Sequence, residues 1–287
     1  MGKKLIVVAA ALALSSGLAG AAEDGSRPNK SAYTFFNRTP ETQLRELIPD
    51  RPNITESPFT VDAGWWQLEL DLANYTRNHD RSGGGDLRTT SLSFANLNLK
   101  VGLTSAIDLQ TVFSPYTKLR TDDRIAGVRT TTAGFGDVTS RLKINFWGND
   151  GGDSAFGLMP FIKWPTNQHG LGNKSVEGGL IVPYAHSLPG GWDLGAMTEI
   201  DVVRNDSDTG YTAAWVNTIT AGHNLTGKLG CYLELATTLT HGASLASFDY
   251  GLTFNVSKHV QADIGATQGL TPATEDLTVF TGLSVRF

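Results

Sequence analysis

Cysteine is almost missing from this chain: Cys231 stands alone, which excludes an intramolecular disulfide framework and a multi-cysteine metal site. It falls in an apolar alternating run and reads as a packing residue. Methionine is scarce too, at three, against 32 glycines, 13 phenylalanines and six tryptophans. That balance suits many short strands closed by turns better than helices, which glycine weakens. A surplus of positive charge is also lacking. The formal charge of -5 and pI near 5.7 argue against a nucleic-acid binder, whose footprint is basic. Beyond the N-terminus no apolar run reaches the roughly 18 residues of a spanning helix, which leaves a soluble fold or a β-barrel. With 40% hydrophobic and 18% charged residues over 287 positions, disorder is excluded and one large domain or two small ones are accommodated.

The first residues set the compartment. Lys3 and Lys4 precede the apolar run Leu5 to Leu14, and Ala19, Gly20, Ala21 and Ala22 follow before Glu23 and Asp24, the layout of a cleaved secretory signal. A membrane anchor would need about 20 apolar residues, and Ser15, Ser16 and Gly17 end this run too early. Cleavage removes Lys3 and Lys4 and takes the formal charge from -5 to -7. Glu23 to Pro58 then differs from everything after it, with Pro28, Pro40, Pro49, Pro52 and Pro58, mixed charge and no period-2 pattern. Thr39-Pro40-Glu41 supplies a cap, a first-turn proline and an acid, and Leu44, Leu47 and Ile48 form a stripe, so a short helix is expected over Pro40 to Ile48. The segment is either a plug whose scattered cations, Arg27, Lys30, Arg38, Arg45 and Arg51, enter an acidic lumen, or a flexible leader.

From Phe59 onward the pattern alternates. Leu68, Leu70 and Leu72 oppose Gln67, Glu69 and Asp71; Val138, Leu142, Ile144 and Phe146 oppose Asp137, Arg141, Lys143 and Asn145; Phe248, Tyr250, Leu252 and Phe254 oppose Asp249, Thr253 and Asn255. About 12 such runs start near residues 60, 88, 106, 136, 154, 175, 192, 211, 228, 247, 259 and 277. A parity switch between Phe94 and Leu97 predicts a β-bulge near Ala95. Three features favour a membrane barrel over a soluble sandwich. Connectors alternate between long (near 78–86, 117–134, 165–174, 204–210, 239–246 and 268–276) and short. Aromatics gather at two rims, Trp65, Trp66, Trp147, Trp192 and Phe287 at one and Trp164, Tyr211 and Phe248 at the other. The chain also stops inside an alternating run, on Phe287. The expected order is therefore a signal peptide over 1–22, an N-terminal periplasmic segment over 23–58, and an all-β transmembrane antiparallel barrel of about 12 strands over 59–287.

Specific stretches are familiar. Asn37-Arg38-Thr39-Pro40, Asp50-Arg51-Pro52, Thr55-Glu56-Ser57-Pro58, Val61-Asp62-Ala63-Gly64, Gly134-Phe135-Gly136-Asp137 leading to Arg141-Leu142-Lys143, and Trp164-Pro165-Thr166 together resemble the outer-membrane "transporter" family labelled putative meta-pathway of phenol degradation. The resemblance covers most of the mature chain. It implies a barrel in the bacterial outer membrane with a transport role and a suggested link to aromatic catabolism, without fixing a substrate. Phe287 likewise resembles the terminal signal read by the outer-membrane barrel-assembly machinery.

Chemistry, on this reading, belongs to the inward face. The polar parity puts 11 acids and five bases there, with Glu69, Arg141, Lys143, Glu199, Glu234 and Asp263 near mid-depth as candidate pore-lining residues. Bases concentrate on the second, fourth and fifth runs and acids on the seventh and the ninth to eleventh, so opposed clusters could orient a polar or zwitterionic solute. Alternatively these charges pair with each other and fill the lumen. An enzyme is not expected: none of His79, His169, His186, His223, His241 and His259 pairs at metal-ligand spacing, and His241 beside Ser244 lacks an orienting acid. Gly134-Phe135-Gly136 enters a strand rather than a helix, which weakens a phosphate-loop reading, and Asn205 to Gly210 lacks the distal glutamate of a calcium loop. No cofactor is expected; the partners are membrane lipid, a small-molecule solute and the assembly machinery, with no nucleic acid. A plugged structural or receptor barrel, and a membrane-embedded hydrolase, stand as alternatives to the solute channel.

Overall fold

The computed structural model describes residues 29–287 apart from 206 and 208; the signal peptide expected over 1–22, residues 23–28, and part of the Asn205 to Gly210 loop lie outside the described residues. Fifteen β-segments follow one another: β1 (Trp66–Asp80), β2 (Leu87–Phe94), β3 (Asn96–Gly102), β4 (Ile107–Phe113), β5 (Tyr116–Asp123), β6 (Val128–Gly134), β7 (Val138–Trp147), β8 (Ser154–Trp164), β9 (Glu177–Leu188), β10 (Trp192–Arg204), β11 (Tyr211–Asn224), β12 (Leu229–Thr240), β13 (Ala243–Ser257), β14 (Val260–Gly269) and β15 (Leu277–Arg286). Every pairing among them is antiparallel, and β15 returns to β1 through ten register pairs from Gln67–Arg286 to Arg77–Leu277. The sheet is closed and leaves no edge along its main wall.

The fifteen segments make 12 staves. β2 and β3 both pair with β1 and are one stave interrupted at Ala95, whose φ is 58°. This is the bulge that the parity switch predicts: inserting one residue restores Phe94 and Leu97 to the same outer face. β4 and β5 are likewise one stave broken at Ser114-Pro115, and β6 and β7 one broken at Phe135 to Asp137. The stretch 117–134, expected as a loop, is thus mostly the hairpin of β5 and β6. Its outward residues, Lys118, Arg120 and Arg129 among them, are polar, so the strand signal of an apolar face fades there. The 239–246 connector is a tight turn between Thr240 and Ala243, because Gly242 takes φ 102° and allows an immediate reversal.

The molecule is built inside out relative to a soluble protein. Leu109, Leu233, Leu235, Leu252, Phe254 and Ile264 are exposed outside, while Lys100, Lys143, Gln110, Asp108, Glu234 and Asp249 are almost fully buried inside. An exposed apolar belt with a buried polar lining is stable when lipid, not water, surrounds the wall. Trp66, Trp147, Trp192, Phe287, Trp164 and Tyr211 lie on that outer face. Trp65 does not: it is 6% exposed, its indole N–H donates to the Thr39 carbonyl at 2.8 Å, and its ring stacks on His259 beneath the Arg38 guanidinium. In place of the expected short helix, one 3-10 turn, Glu41–Gln43, forms, and Leu44 is already extended. Leu44 and Leu47 are half-buried and Ile48 is exposed, so the stripe has no packed partner to fix a short helix, which is marginal by itself. The first strand begins at Trp66, so residues 59–65 belong with the N-terminal segment.

A closed sheet of this kind should resist detergent until heated. Purified mature chain is expected to give β-type circular dichroism and to run faster unboiled than boiled on detergent gels; predominantly helical spectra would contradict the fold.

Candidate functional site

The lumen holds the later part of the chain's own N-terminal segment, where Asp50 to Val61 bond inward wall residues, while Phe35 and Phe36 stay exposed beside the outer-face Trp66; the site is the contact between that strap and the wall. Its pivot is the dipeptide Asp50-Arg51. The two side chains reach different arcs of the wall, Asp50 toward β3 and β7 and Arg51 toward β1 and β14. The Asp50 carboxylate accepts from Lys143 Nζ at 2.6 and 2.7 Å and from Lys100 Nζ. The Arg51 guanidinium makes a two-pronged pair with Asp263, at 2.7 and 3.0 Å, and a further pair with Asp71, a geometry that fixes orientation as well as charge. Gly282 is required beside it, since any side chain there would occupy the guanidinium's place.

The rest of the strap follows from these anchors. The Asp50 amide donates to Glu69 Oε1 at 3.2 Å, and Glu69 also pairs with Lys100. Asp50 Oδ1 accepts the Ser57 amide and hydroxyl at 2.8 and 2.7 Å, closing residues 50–57 into a loop. Glu234 accepts the amides of Ile54 and Thr55, each at 2.7 Å, and the Thr55 hydroxyl. Glu56 pairs with Arg141, and its amide meets Met197 Sδ at 3.4 Å, beside the small apolar cluster of Met159, Ile181 and Met197. Asn145 donates to the Pro58 carbonyl at 2.9 Å, and Asp108 accepts the Val61 amide at 3.0 Å.

A second knot lies toward the end where the strands begin. Asp62 pairs with Lys30 at 3.2 Å and Arg45 at 3.6 Å, with Arg286 at 3.9 Å, while Asp150 in a wall turn pairs with Lys30 and Arg45, both at 2.9 Å. Gly102 lets the segment pass at backbone distance, because a Cβ there would collide with the Asp62 carbonyl. Lys258 and His259 meet Glu41 at 2.6 and 3.4 Å.

The six candidate pore-lining residues therefore separate into two groups. Glu69, Lys143, Glu234 and Asp263 are buried against the strap. Arg141, which also pairs with Glu56 of the strap, and Glu199 line a vestibule of about 440 Å³ beyond it, together with Phe161, Lys163, Leu171 and Asp201. On the other side of the strap a cavity of about 430 Å³, bordered by Leu47, Ile48, Pro49 and Leu194, leads toward a mouth of about 840 Å³. The acids Asp50, Glu56 and Asp62 are the participants that sequence reasoning left out, since attention to the segment's cations hid its carboxylates. Among the described residues no group of three or more His, Cys, Asp or Glu could hold a metal ion, and His241 and Ser244 sit exposed at a turn.

Two carboxyls of the strap are shifted oppositely. Burial would raise Asp50, but the Lys100 and Lys143 ammoniums outweigh it and hold the carboxyl well below the usual range. Burial, aided by the Asp50 charge, lifts Glu56 to about 7 despite Arg141. A raised folded value means that the docked strap binds the extra proton, so docking strengthens as pH falls through about 7 toward the free carboxyl value of about 4.3. The Asp50 contribution is present above about 3.9 and is lost only as pH falls below that into its depressed range.

Two outcomes follow. Hydrogen exchange of residues 50–58, corrected for intrinsic rate, should be slower at pH 5 than at pH 8, and Glu56→Gln should remove the difference. Asp50→Ala takes its ion partner from the buried Lys143 ammonium and leaves Lys100 with Glu69 alone, a loss of about 3–5 kcal/mol for a broken buried pair; the strap should become protease-sensitive while the barrel keeps its heat-modifiable band. Unchanged protection would place Asp50 outside the anchor.

Comparison with known proteins gives a consistent setting. A model of the family described as "Putative MetA-pathway of phenol degradation" matches residues 49–287, a span that begins at the Asp50-Arg51 anchor. An outer membrane channel from Pseudomonas putida F1 is similar in structure, with a TM-score of 0.59 at 14% identity, covering 84% of this chain and 100% of that one. The translocator domain of the autotransporter NalP from Neisseria meningitidis aligns with a TM-score of 0.49 at 10% identity over 77% of this chain and 88% of that one. No curated protein matches the sequence.

Proposed function

We propose, from the premise that this chain belongs to the family described as "Putative MetA-pathway of phenol degradation", that it is a gated outer-membrane channel for passive passage of small organic solutes, with residues 29–65 as its gate. The observation that carries this is the pair of cavities, about 440 and 430 Å³, separated within one barrel by a strap that belongs to no strand. On this reading the two cavities are the ends of one solute path, which opens when the strap leaves. The family description supports a monocyclic aromatic or similar solute. So does the outer vestibule, where Phe161, Leu171 and Val203 supply an apolar side and Arg141, Lys163, Glu199 and Asp201 a polar one, the mixture by which a pocket orients a small ring with a polar substituent.

In this account Glu69, Lys143, Glu234 and Asp263 become pore-lining when the strap leaves, and Arg141 and Glu199 line the path in both states. The N-terminal segment is exported behind its signal peptide, and Phe287, which exchanges backbone hydrogen bonds with Trp66 at 2.9 and 3.0 Å, serves as the assembly signal. The fold is similar to that of an outer membrane channel, which supports passage of a solute. A permanently plugged receptor barrel is the second reading, favoured by the number of strap contacts.

Single-channel recording decides between them. Deleting residues 23–58 should raise conductance several-fold over the full chain in the same bilayer, and Asp50→Ala with Arg51→Ala should raise the open fraction without changing the size of the open step. Equal conductance of full-length and truncated barrels, at equal folded yield, would remove the gate. In the truncated barrel, Arg141→Glu should shift the reversal potential in asymmetric salt toward cations.

A further inference from the structure

The outer face carries a second feature that solute passage does not use. On β1 the apolar outward row runs from Trp66 through Leu68 and Leu70 to Tyr75, and on the β4–β5 stave from Ile107 through Leu109 and Phe113 to Tyr116. Nine residues at about 3.3 Å each, tilted by about 40°, rise about 23 Å, the height of an outer-membrane apolar band. The aromatics at the top, Tyr75, Phe94 and Tyr116, are exposed, and Phe94 and Tyr116 lie 6.4 Å apart.

Immediately above them the outward positions turn cationic. The register aligns Tyr75, Leu92, Lys118 and Ala133 in one row, Arg77, Thr90, Arg120 and Thr131 in the next, and His79, Arg88, Asp122 and Arg129 in the third. Arg77, Arg88, Lys118, Arg120 and Arg129 are all exposed. Asp122, paired with Arg129 at 2.9 Å, Asp86, 3.7 Å from Arg88, and Asp276, which accepts the His79 amide at 3.0 Å and borders Arg77 and Arg88, offset them, leaving these five cations in excess by two on an otherwise acidic chain. None of the ion pairs between described residues involves Arg77, Lys118 or Arg120. Among described strand residues, the outward positions of the remaining staves carry one lysine or arginine, Arg204, set over the Tyr211 ring.

We propose that this patch on β1, β2, β5 and β6 docks a phosphorylated glycolipid of the outer leaflet, with its phosphates on Arg88, Lys118 and Arg120 and its acyl chains on the apolar rows below. Charge complementarity selects a phosphate-bearing head. Direct continuity with the lipid-facing band selects a lipid over a free anion, because only an acylated ligand fills both zones. The aromatic row marks the height at which such headgroups lie.

The test uses the full mature chain in non-ionic detergent, with bis-phosphorylated lipid A, its dephosphorylated form and inorganic phosphate as probes, and native mass spectrometry as the readout. Wild type should retain lipid A at least ten-fold more than R88S/K118S/R120S, the dephosphorylated lipid should bind no better to wild type than to that variant, and Arg204→Ser should leave binding intact. Should the triple variant lose its heat-modifiable band, Lys118→Ser alone decides, with retention expected to fall at least two-fold. Equal retention by variant and wild type, equal binding of the dephosphorylated lipid, or displacement by inorganic phosphate at matched phosphorus would overturn the assignment.

Discussion

Asp50 and Arg51 are adjacent in the chain and carry opposite charges to two neighbouring arcs of the wall, β3 with β7 and β1 with β14, and the seating of the N-terminal segment in the lumen depends on that division. A barrel in lipid can bury apolar side chains only outward, so its interior fills with polar groups that must find partners. At 12 staves the lumen is too wide for wall side chains alone to fill, as eight staves permit, and narrower than the water channel of sixteen. A strap of irregular backbone solves the problem. Asp50 neutralises Lys100 and Lys143, Arg51 neutralises Asp71 and Asp263, and backbone amides of Ile54 and Thr55 satisfy Glu234. The wall pairs Glu69 with Lys100 by itself; the strap supplies partners for Lys143, Asp71 and Asp263.

This arrangement also explains why the outer vestibule sits where it does. Three neighbouring staves are interrupted, at Ala95, at Ser114-Pro115 and at Phe135 to Asp137. Proline cannot donate to the ladder and the bulge residue leaves it unpaired, so the wall bends here rather than continuing straight. β6 pairs with β5 but with no strand on its other side; the 165–176 loop fills in, with Gln168 donating to the Phe135 carbonyl at 3.0 Å and His169 bonded to the Ala133 carbonyl at 2.9 Å. The vestibule bordered by Ser114, Gly136 and Leu171 is the space behind that bend.

The barrel was legible because its physics is local. Period-2 alternation, aromatic rims and the parity switch at Ala95 are properties of neighbouring residues, and they place all twelve staves. Where they misled, the cause was a change of surroundings: Lys118, Arg120 and Arg129 stand above the apolar band, so β5 and β6 carry no apolar face and read as a loop, and Trp65 faces Arg38 and His259 rather than lipid. The inward parity of Glu69, Arg141, Lys143, Glu199, Glu234 and Asp263 was equally legible. Which of them the strap covers was not, because Asp50 meets Lys143 across 93 positions and Arg51 meets Asp263 across 212, and nothing in either neighbourhood names the other. A mixed-charge segment of Asp, Arg, Glu and Lys before a barrel whose inner charges are segregated is the signal that reading both together would have used.

The chemistry of the strap's hold bears on whether it leaves. Buried ion pairs gain little net stability, since desolvating both partners consumes most of their attraction, while removing one partner is costly. An apolar plug would be held by a contribution that grows with every buried methylene and would leave a greasy hole when displaced. A strap held by charges is specified sharply in position but not deeply in energy, and its departure exposes groups that water can solvate at once. Glu56 adds an adjustment near neutrality, because its carboxyl, lifted to about 7, makes docking weaker at alkaline pH than at acidic pH. For the gate proposed above, a contact of that kind is better suited than a hydrophobic core.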